Sequence, residues 1–210
     1  FVWIEPKDWP EQTAEVTVTL ELSGILEDIE QEIVQFWPKN KTITPDDVRG
    51  ERNSLKDAVI SDGWPSIDDG RGKAIFVLLA RGNSRDLYLD AYPGLNGARM
   101  FTLSEEGSNE SAIFSIADPL GSQGEISRLV SEGYIVRSRS DSGGEEADSN
   151  DTARRDAAFE SGAHSISTDY PGKVDGLDYW VEVPNGTPSR CNPISSPDWC
   201  TSEDIEHLSQ

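Results

Sequence analysis

Gly133-Tyr134-Ile135-Val136-Arg137-Ser138-Arg139 and, after a helical stretch, Ser165-Ile166-Ser167-Thr168 decide the fold class. Each is a short run rich in branched or aromatic residues, bounded by a turn former, and reads as a strand. Between them residues 152–161 read as a helix stopped by Gly162, and before them 126–132 read as a helix stopped at Gly133, a C-terminal capping signal. Strand, helix and strand in succession imply parallel pairing and an α/β layered architecture.

Working outward, the same alternation continues upstream. Residues 1–4 read as a strand. Leu22, Ile25, Leu26, Ile29, Ile33 and Phe36 recur at helical spacing, which predicts an amphipathic helix over 22–36 closed by Trp37-Pro38. Thr44-Pro45-Asp46-Asp47 carries a capping side chain, a first-turn proline and two acids at the positive end of the dipole, so a short helix starts there. Residues 54–60 predict another short helix. Residues 73–79 form a continuous apolar run, the pattern of a strand buried on both faces. Further strands are expected at 98–103, 112–117 and 179–183, with 140–151 a polar loop. A doubly wound sheet and a barrel both fit this order. The first turns carry no glycine-rich phosphate fingerprint, which counts against a dinucleotide site.

Composition narrows the function classes. The 210 residues hold 18 Lys+Arg against 39 Asp+Glu, a net charge of −21. Such a surface argues against nucleic acid, whose phosphates need a basic face, and against long-range attraction to anionic lipid. No apolar run reaches the roughly 20 residues of a bilayer span. The sequence opens inside an apolar run, its one Met is Met100, and no signal-peptide pattern precedes it, so further polypeptide is expected on the N-terminal side. Cys191 and Cys200 bracket a turn-rich, Pro-containing segment with no His at zinc-ligand spacing, which favours a disulfide over a metal site. Asn40, Asn109, Asn150 and Asn185 head N-x-[ST] sequons and, with the cysteine pair, point to a secreted, extracellular glycoprotein.

Alternation within the strands singles out candidate site residues. Glu5 and Lys7 share a face with Trp3, Arg137 and Arg139 share one with Ile135, and Asp169 shares one with Ser165 and Ser167. Three strands thus turn charged or polar at their C-terminal ends, where the loops of a barrel would converge on a site. The plain alternatives are a surface ion pair for Glu5 and Lys7 and a solvated strand edge for the arginines. Carboxylates such as Glu5 or Asp169 suit a hard cation; Lys7, Arg137 and Arg139 suit phosphate oxygens. His164 precedes its strand, at the end opposite such a site, and His207 lies in the tail. Neither reads as a general base, and no Ser/His/Asp or Cys/His arrangement is present.

Gly133 to Asp141 as quoted and continued, Asp151-Thr152-Ala153-Arg154-Arg155-Asp156-Ala157-Ala158, Ser161-Gly162-Ala163-His164-Ser165-Ile166-Ser167-Thr168-Asp169-Tyr170-Pro171 and Arg190-Cys191-Asn192-Pro193 together resemble the secreted, calcium-dependent phosphoinositide phospholipase C-like family. Ile43-Thr44-Pro45-Asp46-Asp47-Val48-Arg49-Gly50, Gly63-Trp64-Pro65 and Arg71-Gly72-Lys73 extend the resemblance over almost the whole chain. It implies the TIM-type barrel of the phospholipase C-like phosphodiesterases, here its C-terminal portion over residues 1–183, with a Pro-rich tail over 184–210. By the same resemblance Ile4-Glu5-Pro6-Lys7-Asp8 matches the family's Ile-Glu-x-Lys-Asp strand ending, which makes Glu5 a Ca2+ ligand and places Lys7 near the substrate phosphate. Arg137, Arg139 and Asp169 match the family's Arg-x-Arg strand and final Thr-Asp. The family's two catalytic histidines come from strands expected upstream of Phe1.

The expected function is therefore a phosphoric diester hydrolase of lipid metabolism acting on phosphoinositide-type diesters with calcium, this chain lacking the catalytic histidines and inactive alone. The missing N-terminal half of the barrel is its expected partner, with at most weak membrane contact and no nucleic acid. The alternative is a secreted, non-catalytic calcium or polyol-phosphate binding protein derived from that fold; a purely structural extracellular protein is a third reading.

Overall fold

The computed structural model describes residues 1–6, 22–185 and 188–206. Lys7 and His207 lie outside the described residues. The chain divides into two compact regions, residues 1–112 and 113–210.

The first region is built on a three-stranded parallel sheet, β1 (Val2–Ile4), β2 (Phe76–Leu78) and β3 (Met100–Thr102), in that order. Val77, Leu78, Met100 and Phe101 are fully buried, as a parallel strand covered on both faces requires. Pairing is shorter than the apolar run predicts: within 73–79 only Phe76–Leu78 forms ladder, and Ala74 makes a separate bridge to Thr42. Helix α1 (Leu22–Phe36) has the expected bounds, with Leu26 and Ile33 buried and Phe36 left 69% exposed in the last turn. Helix α2 (Pro45–Arg49) starts at Thr44 with a reciprocal capping box to Asp47. It clasps the 93–97 turn, with Arg49 donating to the Gly94 carbonyl and the Gly97 amide donating to Asp46. Helix α3 (Leu55–Ser61) is capped by Ser54.

Helices α4 (Ile67–Gly70) and α5 (Asn83–Ala91) have no counterpart in the sequence reading. Tertiary contact accounts for α5. Fully buried Tyr88 donates its hydroxyl to the buried carboxylate of Glu30 on α1, which also accepts from the Arg99 and Met100 amides at the start of β3. Burial and the Glu30 charge both raise the Tyr88 pKa far above that of a free phenol.

The second region repeats the plan: β4 (Ile113–Ser115), β5 (Ile135–Arg139) and β6 (Ser165–Ser167) form a parallel sheet in chain order. Helix α6 (Pro119–Ser131) begins a full two turns before the predicted 126–132, capped by Asp118. Gly121 and Gly124 dilute its pattern, and Ser122 kinks its backbone. Helix α8 (Ala153–Glu160) packs on α6 and β5. The expected loop 140–151 contains a short helix, α7 (Glu145–Ser149), which Glu146 ties to Arg154 at 2.9 Å. Residues 179–183 are not a strand: Val181 donates to the Tyr170 carbonyl and fully buried Tyr179 donates to the Ser140 carbonyl, so the segment is held by side chains and single bonds. Cys191 and Cys200 are disulfide-bonded as expected, and helix α9 (Ser202–Glu206) follows. The architecture is thus α/β with two small parallel sheets.

Candidate functional site

Register in the second sheet assembles a polar face. Ser115 on β4, Arg137 on β5 and Ser165 on β6 stand side by side, and Arg139 stands opposite Ser167 one pleat further on. Period-2 alternation puts all five on one face, with Ile135 buried below them. Arg137 donates to the Ser115 hydroxyl at 3.2 Å. Beyond the end of β6, Asp169 meets Arg139 at 3.3 Å. Two predicted residues, Arg139 and Asp169, therefore meet at the C-terminal ends of β5 and β6, with Arg137 on the same face one pleat before them.

The Arg139–Asp169 pair leaves capacity unused. It is a single long contact, Asp169 is 66% exposed, and the Arg139 Nε is buried without a hydrogen-bond partner among the described residues. A guanidinium has five donors in a fixed fork that matches phosphate oxygens. Two such groups two residues apart on a strand, about 6.6 Å along it, can take different oxygens of one phosphodiester.

Past the end of β5 lies a carboxylate that the sequence did not single out. Asp141 is fully buried. It accepts from the Ser140 hydroxyl at 2.8 Å, the Thr168 hydroxyl at 2.6 Å and the Asp169 amide at 2.9 Å. Ser140 in turn donates its amide to the Ser167 carbonyl. Burial, with the nearby Asp141 charge adding to it, pushes the Tyr179 phenol up to about 12. An Asp two residues past a strand reads as loop from sequence, and only the folded hydrogen-bond pattern distinguishes it.

Glu5 lies in the first region, exposed just past β1. Among the described residues no group of three or more His, Cys, Asp or Glu converges, whereas calcium takes six to eight oxygens. The described donors thus do not make up a calcium site, and Glu5 offers only its own carboxylate.

His164 sits one residue before β6, level with Val136 and one step short of Arg137. The Val136 amide donates to its Nδ1 at 3.3 Å, which requires that nitrogen to be unprotonated. Protein crowding on one side pushes the imidazole down to about 4, while the rest of the ring stays open to solvent. It lines a cavity of about 350 Å³ with Phe159, Ile166, Thr168, Arg190 and Asn192. Ile166 and Thr168 project from the face of β6 opposite Ser165 and Ser167, so this cavity is separate from the arginine face. No helix among the described residues is long and apolar enough to cross a membrane.

No curated protein and no solved structure matches the chain. A family model described as phosphoinositide phospholipase C, Ca2+-dependent, does match, over residues 1–193. That span takes in both sheets, the Arg137–Arg139 strand, Asp169 and the first disulfide cysteine, and by it the chain belongs to the calcium-dependent phosphoinositide phospholipase C family.

Proposed function

We propose that this chain supplies the phosphate-binding side of a phosphodiesterase that acts on phosphoinositide-type diesters, and that its six parallel strands are consecutive staves of a TIM-type barrel. Family membership and the parallel, chain-ordered pairing in each sheet support the barrel. The observation that carries the function is the meeting of Arg139 and Asp169 at the C-terminal strand ends, the end where barrel enzymes gather their chemistry, with Arg137 one pleat before on the same face.

In this reading Arg137 and Arg139 hold the non-bridging phosphate oxygens and offset the charge that grows as an inositol hydroxyl attacks phosphorus. Asp169 sets the angle of the Arg139 fork. Lys7, outside the described residues, is assigned a place near the same phosphate. Calcium, when bound, would lower the pKa of the attacking hydroxyl. Glu5 is its proposed ligand in this chain, and the remaining donors come from outside the described residues. Proton transfer needs a base and an acid at the strand ends. His164 cannot serve, because its Nδ1 accepts the Val136 amide and it lines the cavity on the other face of β6 from the arginines. The catalytic histidines therefore come from a further segment of the barrel, which is the partner this reading requires.

The same observation about His164 favours a second reading, a non-catalytic binder of polyol phosphates on the same face. The disulfide suits an oxidising compartment, and Asn40, Asn109, Asn150 and Asn185 are all exposed, which supports a secreted glycoprotein.

The test is a titration of the chain with myo-inositol 1-phosphate beside a turnover assay on phosphatidylinositol with calcium. Saturable binding that Arg139→Ala weakens about tenfold is expected, the loss of one charge-assisted contact. Turnover should fall below detection, since each missing acid–base function costs ~10²–10⁴-fold. Wild-type protein that ignores the ligand would remove the assigned site, and robust turnover would remove the need for outside histidines.

A further inference from the structure

We propose that Asp141 is the positioning residue of the phosphate face: it fixes the backbone that carries Asp169 and through it the Arg139 guanidinium. This rests on the assignment of Arg139 and Asp169 to a phosphate.

Asp141 lacks both water and a cation. It is 0% exposed, and no Lys, Arg or His lies within ion-pair distance of it among the described residues. A carboxylate removed from water without a cation costs several kcal/mol before its hydrogen bonds are counted. A chain with 39 acids has ample surface for them. A fastener between two strand ends could be a neutral Asn or Ser, so a buried charge here calls for something that a neutral group does less well.

What Asp141 holds indicates what that is. Its Oδ1 accepts the amide of Asp169 itself, and its Oδ2 accepts the hydroxyl of the preceding Thr168. Thr168 Oγ1 also accepts the Tyr170 amide, so three consecutive residues after β6 are tied into one hydrogen-bonded set. On the other side Ser140 donates its hydroxyl to Asp141 and its amide to the Ser167 carbonyl, and Tyr179 closes on the Ser140 carbonyl. The Asp169 carboxylate then reaches Arg139 with one oxygen, and the Arg139 Nε lies buried with its hydrogen-bonding capacity unused. A negative acceptor gives shorter and stronger bonds than a neutral one, and it gives them to an amide whose position fixes where Arg139 points. Catalytic and binding groups need such support to within about 0.5 Å.

The experiment uses the whole chain and two readouts. The first needs no ligand: hydrogen exchange of the Asp169 amide and the nitrogen-15 signal of Arg139 Nε–H. The second is titration with myo-inositol 1-phosphate. Asp141→Ala should deprotect the Asp169 amide, shift the Arg139 Nε signal and weaken binding about tenfold. Asp141→Asn keeps one acceptor and the same shape. It should retain amide protection in part and weaken binding about threefold, so it carries the test if the alanine variant does not fold. In an Arg139→Lys background, which keeps the charge and loses the fork, the Asp141→Asn loss should shrink below about twofold. Exposed Asp148→Asn, the charge control, should change neither readout. An unmoved Arg139 signal in both Asp141 variants, or an undiminished loss in the Arg139→Lys background, would overturn the proposal. Wild-type protein that binds no inositol phosphate overturns the function assigned to the face instead, and the spectroscopic arm still decides whether Asp141 holds Arg139.

Discussion

Two sheets of the same size and the same parallel order carry their buried carboxylates at opposite ends. In the first, Glu30 reaches from α1 to the start of β3 and collects the Arg99 and Met100 amides with the Tyr88 hydroxyl. In the second, Asp141 sits past the end of β5 and collects the Asp169 amide with two hydroxyls. The first joins two helices and a strand beneath an apolar sheet, with no basic side chain on its strands. The second holds the amide of Asp169, whose carboxylate meets Arg139. Carboxylate burial is common to both, so burial alone does not mark a working residue. The end of the strand at which the carboxylate sits, and what it orients, do.

The largest expected effect probes the first of these. Glu30→Ala takes the acceptor from the Arg99 amide, leaves the Met100 amide and the Tyr88 hydroxyl with only their bonds to each other's residue, opens a cavity among buried groups, and should lower unfolding stability by about 3 kcal/mol in denaturant titration. It should leave inositol phosphate binding per folded molecule unchanged; a loss of affinity in the folded protein would erase the distinction drawn between the two carboxylates. Next, replacing both Cys191 and Cys200 by serine should cost about 2–3 kcal/mol, the loop-closure entropy of a short ring. Hydrogen exchange should show that loss in residues 113–206 and not in the first sheet. Third, Arg137→Ala should weaken inositol phosphate binding about fivefold to tenfold while Lys73→Ala, a cation of the first region, should not.

The smallest effect concerns pH. The folded-state pKa of His164, about 4, lies below its ordinary 6.5, so the unfolded chain binds that proton more tightly. The protein should be unaffected by this group above pH 6.5 and lose stability as pH falls from there towards 4. Solvent at the ring keeps the loss below about 1 kcal/mol. Melting curves of His164→Gln should show a flatter acid limb; an identical limb would mean that the imidazole is not crowded in the fold.

Local chemistry explains which parts were legible in the sequence. Helix α1 was bounded by its spacing and by Trp37-Pro38, α2 by Thr44 and Pro45, and α6 and α8 at their ends by Gly133 and Gly162, whose φ values of 96° and 79° need glycine. The polar face was legible because strand alternation is rigid: Arg137 and Arg139 had to share a side. Helix α5 was hidden because its stability comes from Tyr88 meeting Glu30 fifty-eight residues away. Residues 179–183 misled because an aromatic and β-branched alternation suits a strand equally well when side-chain anchors hold it instead. Asp141 was invisible for a simpler reason: nothing in a sequence states that a loop acid will be shut away from water.

One feature of both sheets reaches beyond the site. Among the described residues β1, β3, β4 and β6 are the outer strands of their sheets. Strands of three paired residues make poor templates for stacking, and a charge of −21 keeps copies apart. Salt shortens the range of that repulsion to about 10 Å at 0.1 M. Ionic strength, more than temperature, will therefore govern whether the purified polypeptide stays dispersed or gathers into clumps.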